Sequence, residues 1–303
     1  GWRGMIDGNI SPMDLGSISG ILHRGGTILG TSRTNPFKRE GAPQKVLESM
    51  KKFSLDTLVA IGGDDTLGAA QKMFEIGLPC VGVPKTIDND LACTDYTFGF
   101  NTAVSIATDA IDRLHTTAES HKRVMVVEVM GRHAGWIALE SGIAGGADYT
   151  LIPEKTVDID EVCNYLKRRH SRGKKFSVIV AAEGAKLKGG SEVVSVKELD
   201  EFGHVRLGGI GQLLGKEIEK RIGIETRVVV LGHLQRGGSP TAFDRILGTK
   251  FGLAAIDLVA KGSFGQMPAL SGNSIIAVPI KDAVGKQKVV SQELYEMAKV
   301  FFG

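Results

Sequence analysis

The sequence has 303 residues, of which 42% are hydrophobic and 40 are glycine, a composition typical of a loop-rich globular α/β protein. The 37 Lys and Arg against 34 Asp and Glu leave a net charge of +3, too small to indicate nucleic-acid binding. Three cysteines without a CxxC pair argue against a disulfide framework or a zinc site and favour the reducing cytoplasm. No apolar run approaches the length of a membrane span and no signal peptide is recognisable, so we expect neither a membrane nor a nucleic-acid partner.

The N-terminal region contains a glycine-framed apolar stretch ahead of the first clear helix. Residues 25–33 read GGTILGTSR, and we expect a strand here that ends in hydroxyl groups and Arg33. Asn35 and Pro36 mark a turn. The apolar spacing over residues 42–53 then predicts an amphipathic helix.

A strand–helix–strand unit follows at residues 58–83. The apolar run 58–61 stops at a glycine pair, which is typical of a buried parallel strand. A helical pattern runs from Thr66 to about Ile76, and residues 80–83 form the next strand, halted by Pro84. Because ligands bind at the carboxyl ends of parallel strands, polar residues after both strands should converge on one edge.

Those two strand ends carry residues suited to phosphoryl transfer. Asp64 follows the first strand, and Lys85, Thr86, Asp88 and Asn89 follow the second. The chemistry needs a metal ligand, cations for the transferred group and an acceptor for the proton of the attacking hydroxyl. Asp64 can hold Mg²⁺, Lys85 and Thr86 can face phosphate, and Asp88 can accept the proton of the hydroxyl. The glycine–glycine–aspartate turn taken alone is equally compatible with a plain strand end, because short glycine motifs often match by chance.

The remaining chain continues the alternation of strands and helices. Apolar spacing predicts helices at about 101–116, from 136 to the glycines 145–146, from the glycine-rich opening 208–211 to 222, at 243–260 and from 291 onward. Strands are expected at 124–129, 177–182, 228–231 and 274–280. Arg132, Glu183 and Arg236 again follow strands.

Two runs are specific enough to indicate a family. The heptapeptide at 84–90 reads PKTIDND, and residues 232–240 read GHLQRGGSP. Both closely resemble loops of the 6-phosphofructokinases, and the resemblance extends from Gly1 to about Gly265. Members usually begin with a strand and a glycine-rich donor loop, so we expect this sequence to be a fragment that lacks its first few dozen residues.

The resemblance implies an α/β fold of two three-layer domains with mostly parallel sheets and the active site in the cleft between them. Residues 1–99 plus 236–285 would bind the phosphate donor. Residues 100–235 plus 286–303 would bind fructose 6-phosphate.

The resemblance also implies a role for individual residues. Asp88, Thr86 and Arg132 would be catalytic. The fructose 6-phosphate site would comprise Thr86, Ile87, Asp88, Arg123, Met130, Gly131, Arg132, Glu183, Arg227, His233 and Arg236. The donor site would comprise Arg33, Gly63, Asp65, Thr66 and Lys85, with Mg²⁺ on Asp64 and Asp90. His133 has no partner for a catalytic triad in the sequence and is interpreted as local structure.

Two of these arginines indicate an assembly. Arg123 and Arg227 precede strands, whereas Arg132, Glu183 and Arg236 follow them, and the two ends of a parallel sheet lie at opposite edges. The resemblance implies that Arg123 and Arg227 reach the 6-phosphate bound by a neighbouring subunit, in a homodimer or larger homo-oligomer with shared sites. The alternative is that both are surface residues without a ligand.

Two further positions bear on the phosphoryl donor. Members that use ATP typically have glycine where this sequence has Asp65 and Lys85. The Asp65 side chain should occupy the space of a nucleotide α-phosphate and repel its charge, whereas Lys85 should attract a small diphosphate. Leu15 and His115 stand where allosteric members place effector-binding arginines, so binding of an anionic effector should be weak.

The sequence therefore predicts a diphosphate-dependent 6-phosphofructokinase. It would carry out reversible, Mg²⁺-dependent transfer from diphosphate to the 1-hydroxyl of fructose 6-phosphate, giving fructose 1,6-bisphosphate in glycolysis or gluconeogenesis. Two alternatives stay open, an ATP-dependent 6-phosphofructokinase and a catalytically silent regulatory subunit that binds sugar phosphate.

Overall fold

A computed structural model describes residues 1–189, 194–196, 201–203 and 206–302 of the chain. The first half contains α1 (Trp2–Asp7), α2 (Leu15–Ile18), a 3₁₀ turn (Pro36–Lys38), α3 (Ala42–Lys52), β1 (Leu58–Gly62), α4 (Asp64–Glu75), β2 (Cys80–Thr86), β3 (Phe98–Gly99), α5 (Phe100–His121), β4 (Val124–Val129), α6 (Trp136–Ala144) and β5 (Tyr149–Leu151). The second half contains α7 (Ile159–Ser171), β6 (Ser177–Ala182), β7 (Val194–Val196), β8 (Arg206–Leu207), α8 (Ile210–Ile222), β9 (Thr226–Val230), a 3₁₀ turn (Gly232–Arg236), α9 (Ala242–Ala260), β10 (Gln266–Ser271), β11 (Ser274–Pro279), α10 (Ile280–Ala283), α11 (Gln292–Ala298) and a last 3₁₀ turn (Lys299–Phe301).

The first parallel sheet has the strand order β1-β2-β3. Successive side chains of β2 point to opposite faces, and both faces are covered. Val81 packs with Phe251 of α9 on one face, whereas Cys80 shares a cluster with Met73 of α4 on the other. This two-sided burial explains why the strand reads as an apolar run.

The second parallel sheet has the strand order β5-β6-β4-β9. Val127 of β4 belongs to one core cluster with residues of α5 and α6, and Val126 belongs to another with residues of α7 and α8. Every residue of β4 and β6 is buried. The sheet is thus the middle layer of three, and the predicted α/β class with mostly parallel sheets is confirmed.

The C-terminal part of the chain runs from the first sheet to the second. Strands β10 and β11 pair antiparallel, and β10 packs beside β2. Ile280 of α10 lies in a cluster with Leu67 of α4, whereas Tyr295 of α11 lies in the core of the second sheet. Within the described ranges, none of the helices combines the length and the apolar character needed to cross a membrane.

The prediction of a strand at residues 25–33 is wrong. The structure has turns and irregular backbone there, and Gly26 and Gly30 adopt positive φ angles of 76° and 66°. Those left-handed conformations interrupt an extended chain. The apolar residues of this stretch are exposed instead, including Ile28 and Leu29.

Three of the differences between the expected and the observed element boundaries concern the predicted site residues. Helix α4 begins at Asp64 rather than Thr66, so Asp64 and Asp65 form its first turn, where carboxylates interact favourably with the helix dipole. Strand β2 continues through Pro84, because Pro84 is the last residue to pair with β1 and the next two residues pair with β3. Arg227 lies inside β9 rather than before the strand.

Candidate active site

One cleft collects most of the predicted site residues. It encloses about 980 Å³ at the carboxyl ends of β1 and β2, against the loop that follows β4. Its lining includes Arg33, Gly63, Asp64, Asp65, Thr66, Lys85, Thr86, Ile87, Asp88, Asp90, Arg132 and Arg236. Residues that are far apart in the sequence therefore lie together in this cleft, as expected for residues that follow the carboxyl ends of strands.

The loop after β2 is held by its own hydrogen bonds. The Asp88 N–H donates to Thr86 Oγ1 at 3.1 Å, and Asn89 Oδ1 accepts from the Thr97 N–H at 3.0 Å. The Thr97 hydroxyl donates to the Thr86 carbonyl at 2.8 Å. Asn89 has a positive φ of 53°, which this network stabilises. The loop therefore presents Asp88 in a fixed orientation.

Asp88 has the environment of a proton acceptor. Its side chain is buried, with 8% exposure, and Oδ1 has no hydrogen-bond partner among the residues that the structure describes. Burial raises the pKa of Asp88, while the positive charges of Arg132 and Arg236 oppose that rise. An unpartnered buried acceptor is costly unless a ligand satisfies it. A ligand hydroxyl in the cleft would do so.

Arg132 is held at the cleft by Glu183. The Arg132 N–H donates to Glu183 Oε1 at 3.1 Å, and Arg132 has a positive φ of 51°. Its Nη1 lies 3.7 Å from Asp65 Oδ2. Glu183 is half-buried, and burial raises its pKa. Glu183 thus supports the Arg132 loop, and none of the predicted residues Met130, Gly131 and Glu183 is part of the cavity lining.

Lys85 supplies a second cationic group to the cleft. It is half-buried at the end of β2. Burial lowers the pKa of Lys85, the charge of Arg236 lowers it further, and Asp88 offsets part of that change. Cations gathered in this way need an anion, which fits a phosphate-bearing ligand.

Asp64 and Asp90 suit a hard divalent cation. Asp64 Oδ1 accepts from the Gly285 N–H at 3.0 Å. Burial raises the pKa of Asp90 to about 7, and the negative charges of Asp88 and Asp64 add to that rise. A bound Mg²⁺ would relieve this crowding, and it commonly uses one or two carboxylates together with substrate phosphates. Among the described residues, no group of three or more His, Cys, Asp or Glu is arranged to hold a metal ion.

Arg123 and Arg227 lie at the opposite edge of the second sheet from Arg132. Arg123 directly precedes β4, and Arg227 pairs with Met125 near the start of that strand. Arg123 Nε is 2.6 Å from Glu225 Oε2, and Arg227 contacts the other oxygen of the same carboxylate. Neither arginine lines the cleft.

Three other predicted positions, His233, Leu15 and His115, are also absent from the cleft lining. His233 is exposed on the 3₁₀ turn after β9. At the predicted effector positions, Leu15 is 84% exposed and His115 Nε2 is 2.7 Å from the Gly145 carbonyl oxygen.

Sequence reasoning missed several residues at the cleft. His133, interpreted as local structure, lines the cavity, as do Gln235, Gly285 and Gln287. Gln235 is buried, and its Oε1 accepts from the Met130 N–H at 3.3 Å. Gln235 lies inside the family-specific run at 232–240, and that position could have identified it as a candidate site residue. Gly285 and Gln287 lie in no motif, so the sequence offered no signal for them.

A fold of two parallel α/β sheets, with carboxylates and cations converging on one cleft, defines a class of protein suited to phosphoryl transfer. Residues 1–259 match the family model described as phosphofructokinase, and the chain belongs to the phosphofructokinase family. The predicted family is thereby confirmed.

Three similar proteins place the chain within that family. It is 56% identical, over 100% of its length and 89% of the relative, to the pyrophosphate--fructose 6-phosphate 1-phosphotransferase of Streptomyces coelicolor. It is 50% identical, over 100% and 89%, to the ATP-dependent 6-phosphofructokinase 2 of the same organism. The solved structure of phosphofructokinase from Saccharomyces cerevisiae superposes with a TM-score of 0.83 at 29% identity, covering 99% of this chain and 45% of that one.

Proposed function

We propose that this protein catalyses reversible transfer of a phosphoryl group from diphosphate to the 1-hydroxyl of fructose 6-phosphate, giving fructose 1,6-bisphosphate and phosphate. The observation that carries the proposal is the buried, unpartnered Oδ1 of Asp88 at a cleft lined by Arg132, Arg236 and Lys85. The activity named for the relative that is 56% identical supports it.

In this reaction Asp88 accepts the proton of the sugar hydroxyl as the oxygen attacks phosphorus. The donor's bridging oxygen leaves with inorganic phosphate, and Arg132 stabilises the charge that spreads over the transferred group. In the reverse direction Asp88 returns the proton to the sugar oxygen. Burial favours this role because it holds the pKa of Asp88 above its usual range.

Asp64 and Asp90 are the residues that would hold Mg²⁺. When bound, the ion would neutralise the phosphate oxygens of the donor and orient them. The hydrogen bond from the Gly285 N–H to Asp64 Oδ1 orients that carboxylate. Lys85 and Arg33 would contact the same donor from other walls of the cleft.

Asp65 supports diphosphate rather than ATP as the donor. Its carboxylate lies at the N-terminus of α4, within 3.7 Å of Arg132 Nη1, at a wall of the cleft. A negative side chain there repels the additional phosphate and ester that a nucleotide brings. Lys85 contributes a cation that a compact, highly charged diphosphate would use fully.

The donor assay separates the candidate functions. Purified protein with fructose 6-phosphate and Mg²⁺ is given either diphosphate or ATP, and fructose 1,6-bisphosphate is measured. Turnover with diphosphate at a kcat/KM well above that with ATP supports the proposal. A higher kcat/KM with ATP would establish the ATP-dependent alternative, which is the activity named for the relative that is 50% identical. Sugar-phosphate binding without turnover would indicate the regulatory alternative.

We further propose that the active unit is at least a homodimer. Arg123 and Arg227 do not line the cleft and lie at the opposite edge of the second sheet from Arg132, and their guanidinium groups are suited to a phosphate dianion. Each subunit would donate both arginines to the 6-phosphate bound by its neighbour. The predicted division into a donor domain and a sugar domain, and the cytoplasmic location, belong to the same proposal.

Subunit exchange tests the shared site. Asp88→Ser and Arg227→Ser proteins are each prepared inactive and then mixed under conditions that allow exchange. Random exchange makes half of the dimers mixed, and each mixed dimer has one intact site, so about a quarter of parental activity should return. Mixing two batches of Asp88→Ser is the control. Verified exchange without recovered activity would exclude the model.

A further inference from the structure

The C-terminal part of the chain forms a wall of the cleft that no motif marked. Residues 283–290, here called the strap, run from α10 beside the first sheet to α11 beside the second. Gly285 and Gln287 of the strap line the cavity. The Gly285 N–H also donates to Asp64 Oδ1 at 3.0 Å. The strap therefore contacts a carboxylate of the proposed magnesium site directly.

One edge of the strap is hydrogen-bonded to the loop that carries Asp88. The Lys288 N–H donates to the Asp90 carbonyl at 2.8 Å. Next to it, Gln287 forms an antiparallel bridge with Leu91. These are main-chain contacts, so they fix the course of the loop whatever ligand the cleft contains.

The other edge of the strap is bonded to the start of α6, directly after the Arg132 loop. Trp136 Nε1 donates to the Lys288 carbonyl at 2.8 Å. The Val290 N–H donates to Glu154 Oε1 at 2.9 Å. The same oxygen of Glu154 accepts from the Gly135 N–H at 2.9 Å. The strap thus contacts the Asp88 loop on one side and, on the other, the first residue of α6 and the Glu154 carboxylate that holds Gly135.

The side chain of Lys288 closes this connection. Its Nζ donates to the carbonyls of Thr94 and Asp95 at 2.9 and 2.8 Å, at the end of the Asp88 loop. The same ammonium lies 5.0 Å from the ring centroid of Trp136. Hydrogen bonds from a charged donor are stronger than those from a neutral donor, and a cation is attracted to the face of an aromatic ring. The half-buried ammonium of Lys288 therefore links the end of the Asp88 loop to the first residue of α6, directly after the Arg132 loop.

We infer that Lys288 is a positioning residue that fixes the separation of Asp88 and Arg132. The inference rests on the proposed phosphoryl transfer, in which Asp88 accepts the proton of the sugar hydroxyl and Arg132 stabilises the transferred group. No proton or phosphoryl group passes through Lys288. Its effect is geometric, and a displacement of about 1 Å between reacting groups can lower a rate by about 10²-fold.

Three variants test the inference. Lys288→Met removes the ammonium and keeps the aliphatic stem, and Lys288→Arg keeps a cation that can donate and stack. Lys286→Met is the matched control, because Lys286 is exposed on the same strap. Lys288→Met should lower kcat by about 10-fold to 10²-fold with little change in either KM, since the lost alignment matters only in the transition state. Lys288→Arg should restore part of kcat, and Lys286→Met should match the parent.

A second measurement does not depend on activity. Hydrogen–deuterium exchange of the whole protein should become faster in Lys288→Met at both peptides 86–95 and 131–136, and should be unchanged in Lys286→Met. Faster exchange around residue 288 alone would overturn the inference even if the parent used neither donor. A purely structural role would lower Tm and leave kcat of the folded protein within twofold, which would also overturn it.

Trp136→Phe provides an independent variant should Lys288→Met fail to fold. A smaller aromatic ring remains for the ammonium, whereas the Nε1 hydrogen bond to the Lys288 carbonyl and part of the packing of the indole are lost. We expect a smaller decrease of kcat, on the order of threefold to tenfold, again with KM nearly constant. A parental kcat with a lowered Tm would count against the positioning role.

Discussion

A single methyl group at Gly184 should displace the Arg132 loop. A Cβ built on Gly184 lies well inside 3.0 Å of the Arg132 carbonyl oxygen and 3.0 Å from its carbonyl carbon. A third atom, Pro153 Cγ, lies 3.3 Å from the same Cβ, which is also closer than an ordinary contact. The atoms that must yield are main chain rather than the end of a flexible side chain. Gly184→Ala therefore moves the backbone of the proposed catalytic arginine.

The size of the effect follows from that geometry. Restoring an ordinary contact requires a shift on the order of 1 Å, and misplacement of that size can lower a rate by about 10²-fold. The same shift strains the hydrogen bond from the Arg132 N–H to Glu183, 3.1 Å long in the parent. Overpacking of this kind costs about 1–3 kcal/mol of stability. We expect kcat/KM to fall about 10²-fold and Tm to fall by several degrees.

The assay compares kcat/KM for fructose 6-phosphate at saturating donor, with Tm measured on the same preparations. Gly252→Ala is the matched control, because a Cβ at Gly252 in α9 meets no atom within 4 Å. That variant should keep parental activity, and its Tm should stay or rise, since alanine favours a helix over glycine by about 0.5–1 kcal/mol. Parental kcat/KM in Gly184→Ala would refute the tight support of Arg132 by this turn.

Three further predictions concern individual carboxylates. Asp88→Ser should lower kcat by about 10²–10⁴-fold with an unchanged fold by circular dichroism, and near-parental turnover would remove Asp88 from the proton-accepting role. Asp65→Gly, alone or with Lys85→Gly, should allow ATP to act as donor; donor kinetics showing no ATP use in either variant would contradict the steric account. Burial raises the pKa of Glu140 to about 6, so folding favours its protonated form and that stabilisation is lost as pH rises through 6. Glu140→Gln should therefore be more stable than the parent at pH 8 by up to about 2 kcal/mol and show little gain at pH 5, as measured by urea unfolding; equal gains at both pH values would contradict this.

The sequence was sufficient to predict where candidate residues lie wherever their position depends on the end of a strand. Asp64, Asp88 and Arg132 each follow an apolar run, and parallel strands end at a common edge, so their convergence follows from chain direction alone. The same rule predicted that Arg123 and Arg227 would lie at the other edge, and the structure places them there. Their role toward a neighbouring subunit stays a prediction.

Other features depend on contacts between distant segments and could not be predicted. Residues 25–33 have the composition of a strand, but a strand needs a partner, and the glycine conformations there are not extended. The close approach of Gly184 to the Arg132 carbonyl joins two separate loops. The contact of Gly285 with Asp64 spans 221 residues of sequence. None of these produces a local pattern of apolar or polar residues.

We expect different contacts to determine which donor binds and how far Asp88 lies from Arg132. Asp88 and Arg132 leave different sheets, so their separation depends on what joins their loops. The Asp65–Arg132 ion pair is long, at 3.7 Å, and a donor that engages Arg132 can displace it. Apart from the bond of Gly285 to Asp64, the strap is joined to its neighbours by the Lys288 N–H bond to the Asp90 carbonyl, the Trp136 Nε1 bond to the Lys288 carbonyl and the two Lys288 Nζ bonds. None of these four bonds uses a side chain that lines the cleft. A change at Asp65 should therefore alter which donor binds while Asp88 and Arg132 keep their separation. On this basis, any ATP-using Asp65→Gly variant should lose as large a factor in kcat on addition of Lys288→Met as the parent does with diphosphate. A much smaller factor would show that Asp65, rather than the strap, sets the distance between the two loops.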